Sequence, residues 1–226
     1  MSKLTVTEAL KARTSVRAFS DKPVGECTVH ELLEAARWSP SGGNLQPWKV
    51  IVVAGAQRDA VARLASTTIM ENPAGEADEY PIYPKGLGEP YRSRRYEVGE
   101  AMYVLLGIPK EDRAARLQWV IRNFEFFGAP VGLFFVIERS MGHGQWAHLG
   151  MFMQSLALVA QEAGLATCMQ ESWGMVRKTL HRHFELTDDQ VIYCGMALGY
   201  GDSDEAVNTL RTARAEVGEF ASLLGF

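Results

Sequence analysis

Residues 146–163 constrain this chain most. Wound at helical spacing they are apolar nearly all round, so they read as one long helix that is central and buried. The most apolar part, 149–163, is interrupted by Gln154, Ser155, Gln161 and Glu162, and is too short and too polar to span a bilayer. Gly164 is the expected stop, because the position after a helix favours a left-handed backbone. Such a helix needs an apolar layer to pack on, and three runs supply strands for it. Val50, Ile51, Val52 and Val53 form an unbroken β-branched run within 48–54, which suits a strand covered on both faces. Residues 133–137 and 191–198 read as two more buried strands.

Other helices surround these runs. Thr5-x-x-Glu8 and Thr28-x-x-Glu31 have the form of capping boxes, the second opening a helix to about Trp38. Leu32, Leu33, Ala35 and Ala36 place its apolar face on a core, and Ser39-Pro40-Ser41-Gly42-Gly43 stops it. Residues 58–70 and 174–184 are expected helices. Helices alternating with a few widely spaced strands predict an α+β fold with helices over both sheet faces. The 226 residues suit a single domain.

Residues 71–110 differ in character. They hold Pro73, Pro81, Pro84 and Pro90, and also Tyr80, Tyr83, Tyr91, Tyr96 and Tyr103. The prolines predict an irregular excursion, and the tyrosines argue against disorder. It reads as a lid or substrate-access segment, or as a surface excursion that packs on a partner subunit.

Several classes of function are excluded. A net charge of −4 argues against nucleic acid as the main partner. Cys27, Cys168 and Cys194 are far apart and form no C-x-x-C, so neither a disulfide scaffold nor structural zinc is expected. His181 and His183 point apart on a helix, and His143 and His148 are poorly spaced for a shared metal. No phosphate-binding G-x-x-x-x-G-K-[ST], G-x-G-x-x-G, H-E-x-x-H or G-x-S-x-G is present. The first residues lack the form of a signal peptide, and a cytoplasmic location is expected.

What remains is an anion site. In an extended Arg13-Thr14-Ser15-Val16-Arg17, residues 13, 15 and 17 point the same way. Two guanidinium forks and a hydroxyl would then face one point, an arrangement suited to phosphate; solvated surface arginines are the alternative. Asn44 and Gln46, in a turn before a buried strand, suit either the edge of a flat heterocycle or the capping of backbone groups. Gly199-Tyr200-Gly201-Asp202 closes the last core strand, and the tail carries Arg211 and Arg214.

Together these pieces resemble the FMN-dependent nitroreductases. The resemblance is carried by Arg13-x-Ser15-x-Arg17-x-Phe19, Ser39-Pro40-Ser41-Gly42-Gly43-Asn44-x-Gln46-Pro47-Trp48, Phe127-Gly128-Ala129-Pro130, the long helix into Gly164-Leu165, and Leu198-Gly199-Tyr200-Gly201-Asp202. It implies a nitroreductase-like α+β fold: a central, mainly antiparallel sheet flanked by helices in an intertwined homodimer. Two FMN sites would lie in the interface, and the tail at about 203–226 would reach the partner chain.

Carried over by residue, Arg13, Thr14 and Ser15 would hold the phosphate and ribityl part of FMN. Arg17 would stand near the flavin N1 and O2 edge as an electrostatic helper. Pro40, Ser41, Gly42 and Asn44 would come from the partner chain, with Gln46 supporting that loop. The backbone of Glu171 and Ser172 would lie beside N5, and Arg214 or Arg211 would reach the phosphate. Asn123 is a further neighbour of the flavin. Tyr83, Phe124 and Phe127 are candidates for the acceptor pocket. No catalytic side chain and no metal is expected, since the flavin carries the chemistry. The implied activity is reduction of nitroaromatic compounds with NAD(P)H as co-substrate. The competing readings are a flavin or quinone reductase, a reductive dehalogenase of the same family, and a non-catalytic flavin-binding protein.

Overall fold

The computed structural model describes residues 4–76 and 80–226. Its helices and strands run α1 (Val6–Ala12), α2 (Glu26–Ala36), β1 (Lys49–Ala54), α3 (Gly55–Glu71), α4 (Tyr91–Leu105), α5 (Arg113–Ile121), β2 (Val131–Glu138), α6 (Gly142–Glu162), β3 (Ala166–Gln170), α7 (Arg177–His183), β4 (Gln190–Gly199) and α8 (Val217–Phe220). The four strands form one antiparallel sheet in the order β1-β2-β4-β3.

The central strands are apolar without a break because both faces of the sheet are covered. On β2, Val131, Leu133, Phe135 and Ile137 face α2 and α6, while Phe134 and Val136 face α3 and the turns at 122–128 and 171–176. Two glycines make this second layer possible. A Cβ on Gly132 would lie 2.2 Å from the Phe126 ring, and one on Gly195 would lie 2.2 Å from the Trp173 ring. Gly195 pairs with Phe134 across the ladder, so Trp173 fills the space that glycine leaves and meets Phe134 edge-on.

α6 starts four residues earlier than predicted, at Gly142, and ends close to the predicted stop, where Gly164 has a positive φ of 75°. Its burial is one-sided: Leu149, Phe152, Met153, Leu156, Ala157 and Ala160 are buried, whereas Met151 is exposed. Within one chain, therefore, the helix is not enclosed as the sequence predicts. β1 departs in the same direction. It is an edge strand with only Val53 buried, because among the described residues its sole ladder partner is β2.

Other differences are local. The Thr5–Glu8 capping box forms, but α2 starts at Glu26 with Gly25 at its N-cap, so Thr28 lies inside the helix. The 174–184 helix divides into a 3-10 turn over Glu171–Val176 and the shorter α7. β3 adds an unpredicted strand. The excursion at 71–110 is partly regular, since α4 occupies its second half; Ala77, Asp78 and Glu79 lie outside the described residues. Among the described residues, no helix is long and apolar enough to cross a membrane, and no cluster of potential metal ligands is present.

Candidate active site

α1 ends at Ala12, and Arg13 turns the chain into an extended conformation. Ser15 then bridges Thr167 of β3 in parallel, and the Val16 N–H donates to the Thr167 carbonyl at 3.1 Å. Val16 points into the core, so its neighbours in the alternation turn outward. Arg13, Thr14, Ser15 and Arg17 line a hollow of about 190 Å³, completed by Val98 of α4 and by Leu210, Thr212 and Arg214 of the tail.

No carboxylate lines this hollow or pairs with its three arginines among the described residues. Burial, and then the nearby Arg214, hold Arg13 below its ordinary value. Cations held together without a counter-charge repel, and a bound anion relieves the repulsion. Arg211 is turned elsewhere: its Nη1 donates to the carbonyls of Asn208 and Leu210, and it lines a neighbouring cleft with Arg94. Of the two tail arginines, Arg214 reaches the hollow.

Arg17 also lines a larger cavity of about 630 Å³, so this residue borders both spaces. Asn123, Glu171, Ser172 and Tyr83 line this cavity, as does Tyr193. The end of β3 positions Glu171. Gln170 is buried, its Nε2 donating to the Asn123 carbonyl at 2.7 Å while its Oε1 accepts from the Trp173 indole at 3.3 Å. That amide ties the 171–176 turn to the 122–128 turn. Burial pushes the Glu171 carboxyl above its ordinary range, partly opposed by Arg177.

Phe124 and Phe127 do not line the cavity and are corrected to core residues. They are 0% and 1% exposed, packed against Trp173 and Trp119 respectively. The backbone at Phe126 and Phe127 is left-handed, with φ of 52° and 53°, and both of these rings are buried. Tyr83 is the one acceptor-pocket candidate that reaches the cavity.

The 40–46 loop lies apart from both spaces in a single chain. Gly43, Asn44 and Gln46 have φ of 59°, 54° and 50°. The Gln46 N–H donates to Ser41 Oγ at 2.9 Å, and its Nε2 to the Asn44 carbonyl at 3.2 Å. These bonds hold a left-handed path that costs a non-glycine residue about 1–3 kcal/mol. A Cβ on Gly42 would lie 3.0 Å from the His148 ring of α6. Pro40, Ser41, Gly42, Asn44 and Gln46 line neither the hollow nor the cavity.

A family model described as the Nitroreductase family matches residues 10–200 of this chain. A 4-nitrobenzoate reductase from Pseudomonas putida is 38% identical over 215 residues, covering 95% of this chain and 93% of the relative. A nitrobenzene nitroreductase from Ectopseudomonas oleovorans is 35% identical over 223 residues, covering 97% and 96%. The crystal structure of an FMN and NADPH-dependent nitroreductase, NfnB from Sphigopyxis sp. strain HMH, superposes with a TM-score of 0.96 at 43% identity, covering 99% of this chain and all of that one.

Proposed function

The chain belongs to the nitroreductase family, and from that premise we propose that it is an FMN-dependent enzyme that uses NAD(P)H to reduce nitroaromatic compounds. The observation that carries this reading is the place of Arg17, shared by a small arginine-lined hollow and a larger cavity. An elongated ligand with a phosphate at one end and a flat ring at the other fits that pair of spaces. The uncompensated Arg13 and Arg214 beside the Ser15 hydroxyl are the donor set such a phosphate needs.

FMN, when bound, supplies the two-electron relay between NAD(P)H and the acceptor, so no nucleophile, acid or base of this chain is required. Arg13, Thr14, Ser15 and Arg214 hold the phosphate end. Arg17 faces the N1 and O2 edge, where its fixed positive charge favours developing negative charge. The backbone of Glu171 and Ser172 borders N5, with Asn123 nearby. Pro40, Ser41, Gly42 and Asn44 reach the site from the partner subunit of a homodimer, and Gln46 holds that loop in shape.

The dimer covers the surfaces one chain leaves open. The outer face of α6, including Met151, packs on the partner, and the tail beyond Arg214 carries exposed Phe220, Leu223, Leu224 and Phe226 to it. The chain is a single domain in which 71–110 borders substrate access, through Tyr83. Donor and acceptor occupy the cavity in turn, a ping-pong order. Each nitro group goes first to nitroso and then to hydroxylamine, consuming one NAD(P)H per step.

Initial rates with nitrobenzene at several NADPH concentrations test this reading. Parallel double-reciprocal lines and two NADPH oxidised per nitrobenzene are expected. Intersecting lines, or halide release from a halophenol without nitroarene turnover, contradict it.

A further inference from the structure

On the reading that a nicotinamide nucleotide is the hydride donor, we propose that Arg95, with Arg92 beside it, binds the 2′-phosphate of NADPH and sets a preference for NADPH over NADH. α4 has two polar faces. Arg94, Glu97, Val98 and Ala101 turn toward the tail. Arg92, Arg95, Tyr96, Gly99 and Glu100 are neighbours on another face at three- and four-residue spacing, and line a second cleft of about 680 Å³.

This cleft adjoins the active cavity. Ile82 and Tyr83 line the cavity, and the next residue, Pro84, lines the cleft. Arg95 stands at this boundary, with its guanidinium carbon 3.8 Å from the centroid of the Tyr83 ring. A dinucleotide whose nicotinamide lies in the cavity needs a neighbouring surface for its adenosine half. The cleft across the 82–84 wall provides it.

The charges select the ligand. On α4, Arg92 pairs with Glu89 at 2.6 Å and Arg94 with Glu219 at 3.0 Å. Arg95 has no carboxylate partner among the described residues, and only the Tyr83 face opposes it. Among the described residues the one acid lining the cleft, Glu100, is engaged by both terminal nitrogens of Arg116, at 2.7 and 3.0 Å. The pair of Arg92 with Glu89 is exposed and therefore weak. The cleft thus keeps an unneutralised positive edge. Stacking occupies a guanidinium's face and leaves its N–H edge free for a planar, bidentate contact, the geometry a phosphate monoester accepts. The uncharged 2′-hydroxyl of NADH offers no such partner.

Calorimetric titration of the FMN-loaded protein with 2′,5′-ADP and with 5′-AMP tests this without turnover. The wild type should bind 2′,5′-ADP about tenfold or more tightly than 5′-AMP. Arg95→Ala should abolish that difference, while Arg94→Ala, on the other face, should retain it. In steady state, Arg95→Ala should raise the KM for NADPH about tenfold more than it raises the KM for NADH. Retained discrimination in Arg95→Ala overturns the proposal, as does equal loss in Arg94→Ala, which would signal general attraction. A wild type oxidising neither NADPH nor NADH would instead overturn the donor assignment on which it rests.

Discussion

The backbone N–H of Arg17 donates to Asn208 Oδ1 at 2.8 Å, across a sequence separation of 191. The Asn208 amide nitrogen donates in turn to the carbonyls of Ala18 and Asp202, each at 2.8 Å. One side chain therefore locks the strand-like segment carrying Arg13 and Arg17 to the turn that launches the tail carrying Arg214. Both halves of the proposed phosphate hollow depend on it.

Replacing Asn208 with Ala removes three hydrogen bonds, each worth about 1 kcal/mol. The expected results are a lower melting temperature and FMN binding weakened by roughly tenfold or more. Fluorescence titration with FMN and a thermal scan of the same sample measure both. Full FMN affinity in the variant would show that the hollow assembles without this clamp.

Arg214→Ala separates binding from stability. Hydrogen bonds to charged groups contribute about 1.5–3 kcal/mol, so FMN affinity should fall roughly tenfold to a hundredfold. The FMN-free chain should melt no lower than wild type, because Arg13 loses a repulsive neighbour. A FMN-free variant that melts well below wild type would mean Arg214 is structural.

Glu171 makes stability depend on pH in a stated direction. Burial raises its carboxyl above the ordinary value of 4.5 in the folded chain, so the folded state binds more protons than the unfolded one. Stability from this group is then present below 4.5 and lost as pH rises through the folded value. Glu171→Gln should flatten that part of a melting-temperature profile and gain relative to wild type toward neutral pH. Profiles that stay parallel would contradict the assignment.

Gly195→Ala tests the aromatic layer. The new methyl would meet the Trp173 ring at 2.2 Å, and Trp173 is fully buried. Overpacking of this kind should cost about 2 kcal/mol and lower the melting temperature by roughly 4–8 °C. An unchanged melting temperature would show that Trp173 moves freely.

Much of this was legible in the sequence, and the exceptions have physical causes. β2, β4 and α6 stand out because burial writes a dense apolar pattern. β1 carries the same pattern yet lies at the sheet edge, since a β-branched run does not say how many neighbours cover it. β3, Ala166-Thr167-Cys168-Met169-Gln170, lacks alternation and is a strand through its pairing with β4. The prolines before α4 masked a regular helix. At the site, the alternation of Arg13, Ser15 and Arg17 is local and readable. The choice of Arg214 over Arg211 depends on where the tail lies. Asn208 left no local signal, because its partners are distant in sequence. Phe124 and Phe127 follow Asn123 closely in sequence, but both are buried in the core, Phe127 on a left-handed turn.

The most direct test of the central claim is the visible absorption spectrum of the purified protein, before and after anaerobic addition of NADPH. The account predicts a bound flavin spectrum that bleaches with NADPH and returns when a nitroarene is added. A protein that is colourless and takes up no added FMN, or one whose flavin band persists under NADPH, would contradict it.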